Sequence, residues 1–236
     1  MLVAAAVCPC PPLLVPEVAA GAAPELDAAR AACADALGVL AAARPDLLVV
    51  VGPAEETGTR PEGTPGSFRG FGVDVGVRLG AGAGGAEPQG VLPPSLAVAA
   101  WLLERTGWPD APVEGLGVAE PTSAERCVRT GRELAARAGR VALLVMGDAS
   151  ACRTLKAPGY LDERAAPFDA SVARALGSAD VSALVELDVD LARELQASGR
   201  APWQVLAGAA EGAGLAGTLL YEDAPYGVGY LVATWS

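Results

Sequence analysis

Val141-Ala142-Leu143-Leu144-Val145-Met146, followed by Gly147-Asp148-Ala149-Ser150-Ala151-Cys152-Arg153, is the stretch whose reading decides the fold. Six apolar residues without polar alternation read as a strand buried on both faces, the pattern of parallel strands inside an α/β sheet. The small and polar residues that follow end the strand and open a loop at its carboxyl end.

The same signature recurs on the amino-terminal side. Leu2 to Val7 is a short apolar run closed by Cys8-Pro9-Cys10-Pro11-Pro12, and Asp46 to Val51 is another, stopped by Gly52 and Pro53. Between these two lies a helix from about Pro24, with Leu26, Ala29, Cys33, Leu37 and Leu40 at helical spacing. Phe71 to Leu79 alternates and predicts a half-exposed strand. Pro93 to Arg105 reads as a helix and Val113 to Val118 as a strand. Thr122 or Ser123 caps a helix running to about Ala138. On the carboxyl side, helices are expected at 166–177, 180–198 and 202–213, then strands at Leu215–Tyr221 and Val228–Thr234. Alternating strands and helices, with no internal repeat and no dividing linker, predict one α/β domain over residues 1–236. Its central sheet is mostly parallel, with helices on both faces.

Ligands of open α/β sheets sit outside the carboxyl ends of the strands. If the three apolar strands are parallel neighbours, their loops meet on one edge. This expectation gathers Cys8 and Cys10, Glu55 and Glu56, and Asp148, Ser150, Cys152 and Arg153 around a small-molecule cleft. Asp148, Ser150 and Cys10 are its candidate catalytic residues. Tyr160, in the long loop Lys156-Ala157-Pro158-Gly159-Tyr160-Leu161-Asp162-Glu163-Arg164, is a candidate ligand contact, because long loops in compact domains often serve as lids. The blander readings are a core cysteine at Cys8 and turn-capping roles for Asp148 and Ser150.

Composition excludes several classes. A net charge of −11, from 28 acidic and 17 basic residues, leaves no basic footprint for nucleic acid and disfavours anionic membrane surfaces. No stretch reaches the roughly 18 uncharged apolar residues of a membrane span. Met1 to Val7 lacks the basic flank of a signal peptide, so a cytoplasmic location is expected. Five cysteines are expected to be free thiols. Histidine is absent altogether, which removes the commonest metal ligand and the usual base near neutral pH.

The same loops carry a family resemblance. Val7-Cys8-Pro9-Cys10-Pro11-Pro12 is similar to the first metal loop of the class III extradiol dioxygenases (LigB-like), with Cys10 where a histidine is expected. Met146-Gly147-Asp148-Ala149-Ser150-Ala151 resembles the Gly-Asp-Leu-Ser-His stretch shared with the Memo-like group, with Ala151 at the histidine. Val228-Gly229-Tyr230-Leu231-Val232-Ala233 resembles the Memo-like closing strand. The resemblance implies the LigB-like fold and a tendency to assemble, hence a homodimer. In active relatives two histidines and a glutamate hold iron(II), and another histidine acts as base. Glu211 stands at the expected glutamate position, but no histidine can be matched, so neither the iron nor ring-opening chemistry is expected here.

Other chemistry was open at this level. Cys8, Cys10 and Cys152 with Glu55 or Asp148 could offer thiolates to a metal, although Cys8-Pro9-Cys10 is tighter than common zinc spacings. Cys10, or Cys152 near Arg153, could be a nucleophile without a histidine partner. Gly80-Ala81-Gly82-Ala83-Gly84-Gly85 is not followed by a helix start and reads as a flexible loop rather than a dinucleotide site. The acidic run Glu186, Asp188, Asp190 and Glu194 reads as a solvated helical face. A protein-interaction module remained a further alternative.

Overall fold

The computed structural model describes residues 1–81, 90–108 and 111–236; most of the glycine-rich stretch 80–85 lies outside them. In chain order the described elements begin with β1 (Leu2–Cys8), a short α1 (Pro16–Ala19), α2 (Asp27–Ala42) and β2 (Leu47–Ala54). Three short strands follow: β3 (Gly58–Arg60), β4 (Pro65–Ser67) and β5 (Gly76–Arg78). After them come α3 (Pro94–Thr106), β6 (Val113–Ala119), α4 (Ala124–Ala135) and β7 (Val141–Met146). The chain continues through α5 (Ala165–Gly177), α6 (Val181–Val185), α7 (Val189–Glu194) and α8 (Arg200–Ala210), and ends in β8 (Gly217–Asp223) and β9 (Tyr230–Trp235).

One seven-stranded sheet has the order β3-β6-β2-β7-β1-β9-β8. β6, β2, β7 and β1 are mutually parallel neighbours, and β3, β9 and β8 add antiparallel pairs at the two sides. The expected mixture of parallel strands and helices is therefore present. Strand alternation splits the interior into two layers. Val7, Val51, Val145 and Ala233 face a core closed by α4 to α8, with Trp203 and Trp235 fully buried. Cys8, Val50, Met146 and Val232 face the opposite core, closed by α2 and α3. The helical stripe predicted on α2 is buried at Leu26, Ala29, Cys33, Leu37 and Leu40.

Two expectations give way. The alternation at 71–79 does not make a long strand: residues 69–71 form a 3-10 turn, and only Gly76–Arg78 pairs, with β4, in a separate two-stranded ribbon. Alternation there reflects packing of Val77 and Leu79 under α3 rather than sheet membership. The helix expected over 180–198 breaks at Glu186, where the Gln204 amide donates to the carbonyls of Val185 (3.1 Å) and Leu187 (3.4 Å). Asp188 then caps α7 by accepting the Leu191 amide at 3.0 Å. Among the described residues no helix is long and apolar enough to cross a membrane.

Candidate functional site

The register of the sheet builds the site. Cys8 and Met146 are paired across β1 and β7 and face the same core. Two residues further on in each strand direction, Cys10 and Asp148 emerge on that same side of the carboxyl edge. β9 runs antiparallel to β1 with Val7 opposite Ala233, so extending the register sets Tyr230 level with Cys10. Three residues from distant parts of the chain thus converge because parallel strands end together and an antiparallel one begins there.

The contacts are specific. The Cys10 amide donates to Asp148 Oδ1 at 2.8 Å, and the Cys10 thiol lies 3.9 Å from Asp148 Oδ2. The Asp148 amide donates to Ser198 Oγ at 3.1 Å, and the Gly199 amide donates to the Asp148 carbonyl at 2.9 Å. Close packing fixes this turn: a Cβ on Gly147 would sit 2.4 Å from Gly199 Cα. No cation pairs with the Asp148 carboxylate among the described ion pairs. Burial accordingly pushes its pKa up to about 6, against the two Cys10 hydrogen bonds, which pull it down. Burial, and then the neighbouring Asp148 charge, holds the Cys10 thiol well above its ordinary range. Tyr230 is 2% exposed, and burial followed by Asp148 raises its phenol. Tyr226 reaches over from the β8–β9 loop and donates to Glu25 Oε2 at 3.0 Å.

The other candidates from sequence are distributed differently. Ser150 is fully buried: its amide and hydroxyl donate to Asp169 Oδ1 and Oδ2 at 2.8 and 2.9 Å, and Arg153 adds a 2.9 Å contact to Oδ2. This Ser150–Asp169–Arg153 cluster pins the loop after β7 onto α5. Cys152 is also buried, its thiol 3.5 Å from the carbonyls of Gly159 and Leu195. Cys8 packs beside Cys33, and that contact together with burial raises its thiol pKa. Cys8 and Cys152 therefore lie in the two cores on opposite faces of the sheet, and the three cysteines do not converge. Among the described residues no group of three or more Cys, Asp or Glu side chains is placed to hold a metal ion, so the cysteine ligand set considered from sequence does not assemble.

Glu55 and Glu56 are exposed beyond β2, and Tyr160 is 63% exposed. Glu211 is not brought to this edge. It follows the last residue of α8, whose 11 residues extend about 16 Å from the turn at Asp148. There it forms a two-point ion pair with Arg132 at 2.6 and 2.8 Å. A cavity of about 650 Å³, lined by Phe168, Leu187 and Leu191, lies between α5, α6 and α7 on the opposite face from Cys10. Glu163, Glu186 and Asp188 also line it, and its Arg164 is held by Asp162 and Glu194, each at 2.7 Å.

Ser198, Tyr226 and Tyr230 were not singled out from the sequence as site residues. The signal for Tyr230 is its place in the apolar run of the last strand, and it becomes informative only once β9 is known to lie beside β1.

No protein-family model matches the chain, and no curated protein sequence does. Among solved structures, the crystal structure of uncharacterized protein JW3007 from Escherichia coli K12 is similar. It aligns with a TM-score of 0.53 over 99% of this chain and 100% of that one, at 16% sequence identity. At that identity the likeness is one of fold: a single α/β domain with a mixed, mostly parallel seven-stranded sheet.

Proposed function

We propose that the chain is a LigB-like domain protein that has lost iron-dependent dioxygenase chemistry and binds a small molecule at the carboxyl edge of its sheet. The observation that carries this reading is Asp148: a carboxylate held without a cation partner, beside Cys10 and Tyr230, where α/β sheets bind ligands. A part-buried carboxylate with no counter-charge costs stability, and such groups are retained where they serve binding or catalysis. The absence of histidine speaks against the family's iron site, and Glu211 is engaged by Arg132 instead. The expected homodimer and cytoplasmic location accompany this reading and rest on the resemblance and the composition.

Two measurements test it. Oxygen uptake with catechols and added iron(II) is expected to stay at the protein-free rate; rapid uptake with ring opening would overturn the loss of dioxygenase chemistry. Ligand-observed NMR against a fragment set should give binders that Asp148→Ala abolishes while the fold survives. Binders indifferent to that change would remove the site.

A second reading has its own support. A carboxyl group titrating near 6 is matched to general-base work at neutral pH, so a metal-independent proton-transfer enzyme using Asp148 fits the same geometry. Turnover of any bound fragment, lost in Asp148→Asn, distinguishes it from simple binding.

A further inference from the structure

We propose that this chain docks onto a second copy of itself, each copy seating the tip of the loop after β7 in the other's cavity between α5, α6 and α7. The proposal goes beyond the ligand site and uses none of Cys10, Asp148 and Tyr230. Its basis is a knob and a hole of opposite character that adjoin on the surface of one molecule.

The knob is residues 155–161. Seven large apolar side chains are exposed among the described residues, and three of them, Leu155 (61%), Tyr160 (63%) and Leu161 (46%), fall within this short span. The stem beneath them is pinned. The Gly159 amide donates to the Ala151 carbonyl at 2.9 Å, the Tyr160 amide to that of Ala157 at 2.9 Å, and the Asp162 amide to that of Cys152 at 3.0 Å. Tyr160 has a φ of 63°, a left-handed conformation that bulky residues rarely adopt, so the loop displays this ring at the cost of backbone strain. The loop also carries the chain's single lysine, Lys156, which is exposed and enters none of the ion pairs among the described residues.

The hole is the cavity of about 650 Å³. Phe168, Leu187 and Leu191 give it apolar walls, and Glu163, Glu186 and Asp188 add three exposed carboxylates that enter none of the same ion pairs. Leu161 stands two residues from Glu163, at most about 7 Å along an extended chain, so knob and hole adjoin. The tip leaves its own cavity open: Arg164 ties Asp162, at the end of the loop, to Glu194 on α7 at 2.7 Å each, while Leu155, Tyr160 and Leu161 stay in solvent. Two chains of net charge −11 repel, so they meet favourably only where local charges oppose. Lys156 set among three carboxylates is such a place, and an apolar tip in an apolar cavity takes both out of water. A foreign ligand would fill the cavity and leave the tip exposed. A second copy covers both, and a two-fold axis between knob and hole makes the two contacts equivalent and closes the pair.

Analytical ultracentrifugation of the full chain at pH 7.5 tests this. A dimer is expected to form below about 100 µM, the range of a small, transient interface. Leu155→Asp combined with Tyr160→Asp, both at exposed positions that folding tolerates, should weaken it at least about tenfold. Ala183→Trp, which fills the cavity from α6, should do the same, and Ser171→Trp fills it from α5 should the first fold poorly. An equimolar mixture of the loop variant and the cavity variant should regain dimer, because one intact tip then meets one intact cavity; a contact through another face would give no such rescue. A chain that stays monomeric to about 500 µM would overturn the proposal and leave the cavity to a foreign ligand. A dimer indifferent to both variants, or one that mixing fails to restore, would overturn it as well.

Discussion

Asp148 is the residue on which stability and the proposed function pull apart. Its folded pKa, about 6, lies above the ordinary carboxyl value of 3.8, so the native state holds the proton more tightly than the unfolded chain. Stability is therefore greatest at low pH on this account, falls as pH rises from about 4 to 6, and stays lower above. Asp148→Asn removes the cost: melting of the variant at pH 7.5 should exceed wild type by an amount equivalent to about 1–2 kcal/mol, a part-buried discount on the full shift, with little difference at about pH 3, below the unfolded pKa. A variant no more stable at pH 7.5 would mean that the carboxylate is not strained there. Asp169 is the opposite case. It is 1% exposed and satisfies Ser150 twice and Arg153 once. Asp169→Ala should cost about 2–4 kcal/mol in chemical denaturation, because it strands buried donors. At saturating folded protein it should leave ligand binding at Cys10 and Tyr230 unchanged. Ser150, a candidate catalytic residue from the sequence, belongs with this structural cluster by position.

The elements show what periodicity does and does not disclose. β7 was legible to the residue, since six uninterrupted apolar side chains admit little except a doubly covered strand. α2 was legible because its stripe repeats for four turns. The break between α6 and α7 was not, because it is imposed by Gln204, a side chain on a different helix. Strand order was equally hidden: the site needed β9 next to β1, and no local pattern specifies which strand an antiparallel segment joins. The α4–α8 crossing is set by two glycines. A Cβ on Gly131 would lie 2.0 Å from the Val205 carbonyl oxygen, and one on Gly208 would lie 2.0 Å from that of Val128. Gly208→Ala must therefore push the helices apart. Its expected cost is about 3 kcal/mol or more, read as a lowered denaturant midpoint; a wild-type midpoint would show that the helices are not so close.

At the scale of the whole molecule, charge and the missing histidines dominate. A net charge of −11 repels itself in the compact state, so raising sodium chloride from about 20 to 300 mM should raise the melting temperature at pH 7.5. A melting temperature that falls with salt would point to attractive ion pairs, such as Arg164 with Asp162 and Glu194, as the larger effect. With no imidazole in the chain, pH dependence near 6 reports Asp148 more cleanly than it would in most proteins.

The placement of β1 has a consequence for how the protein is made. Its residues pair on one side with β7, from Val141 to Met146, and on the other with β9, where Ala5 meets Trp235. At synthesis rates of about 5–20 residues per second, the first strand waits roughly 10–50 s between leaving the ribosome and meeting its last neighbour. Until Val141–Met146 emerges, Leu2 to Val7 is an apolar segment with no strand beside it, of the kind chaperones retain, and its β9 side stays open longer still. The proposed binding edge, which needs both Cys10 and Tyr230, forms only once β9 has been released.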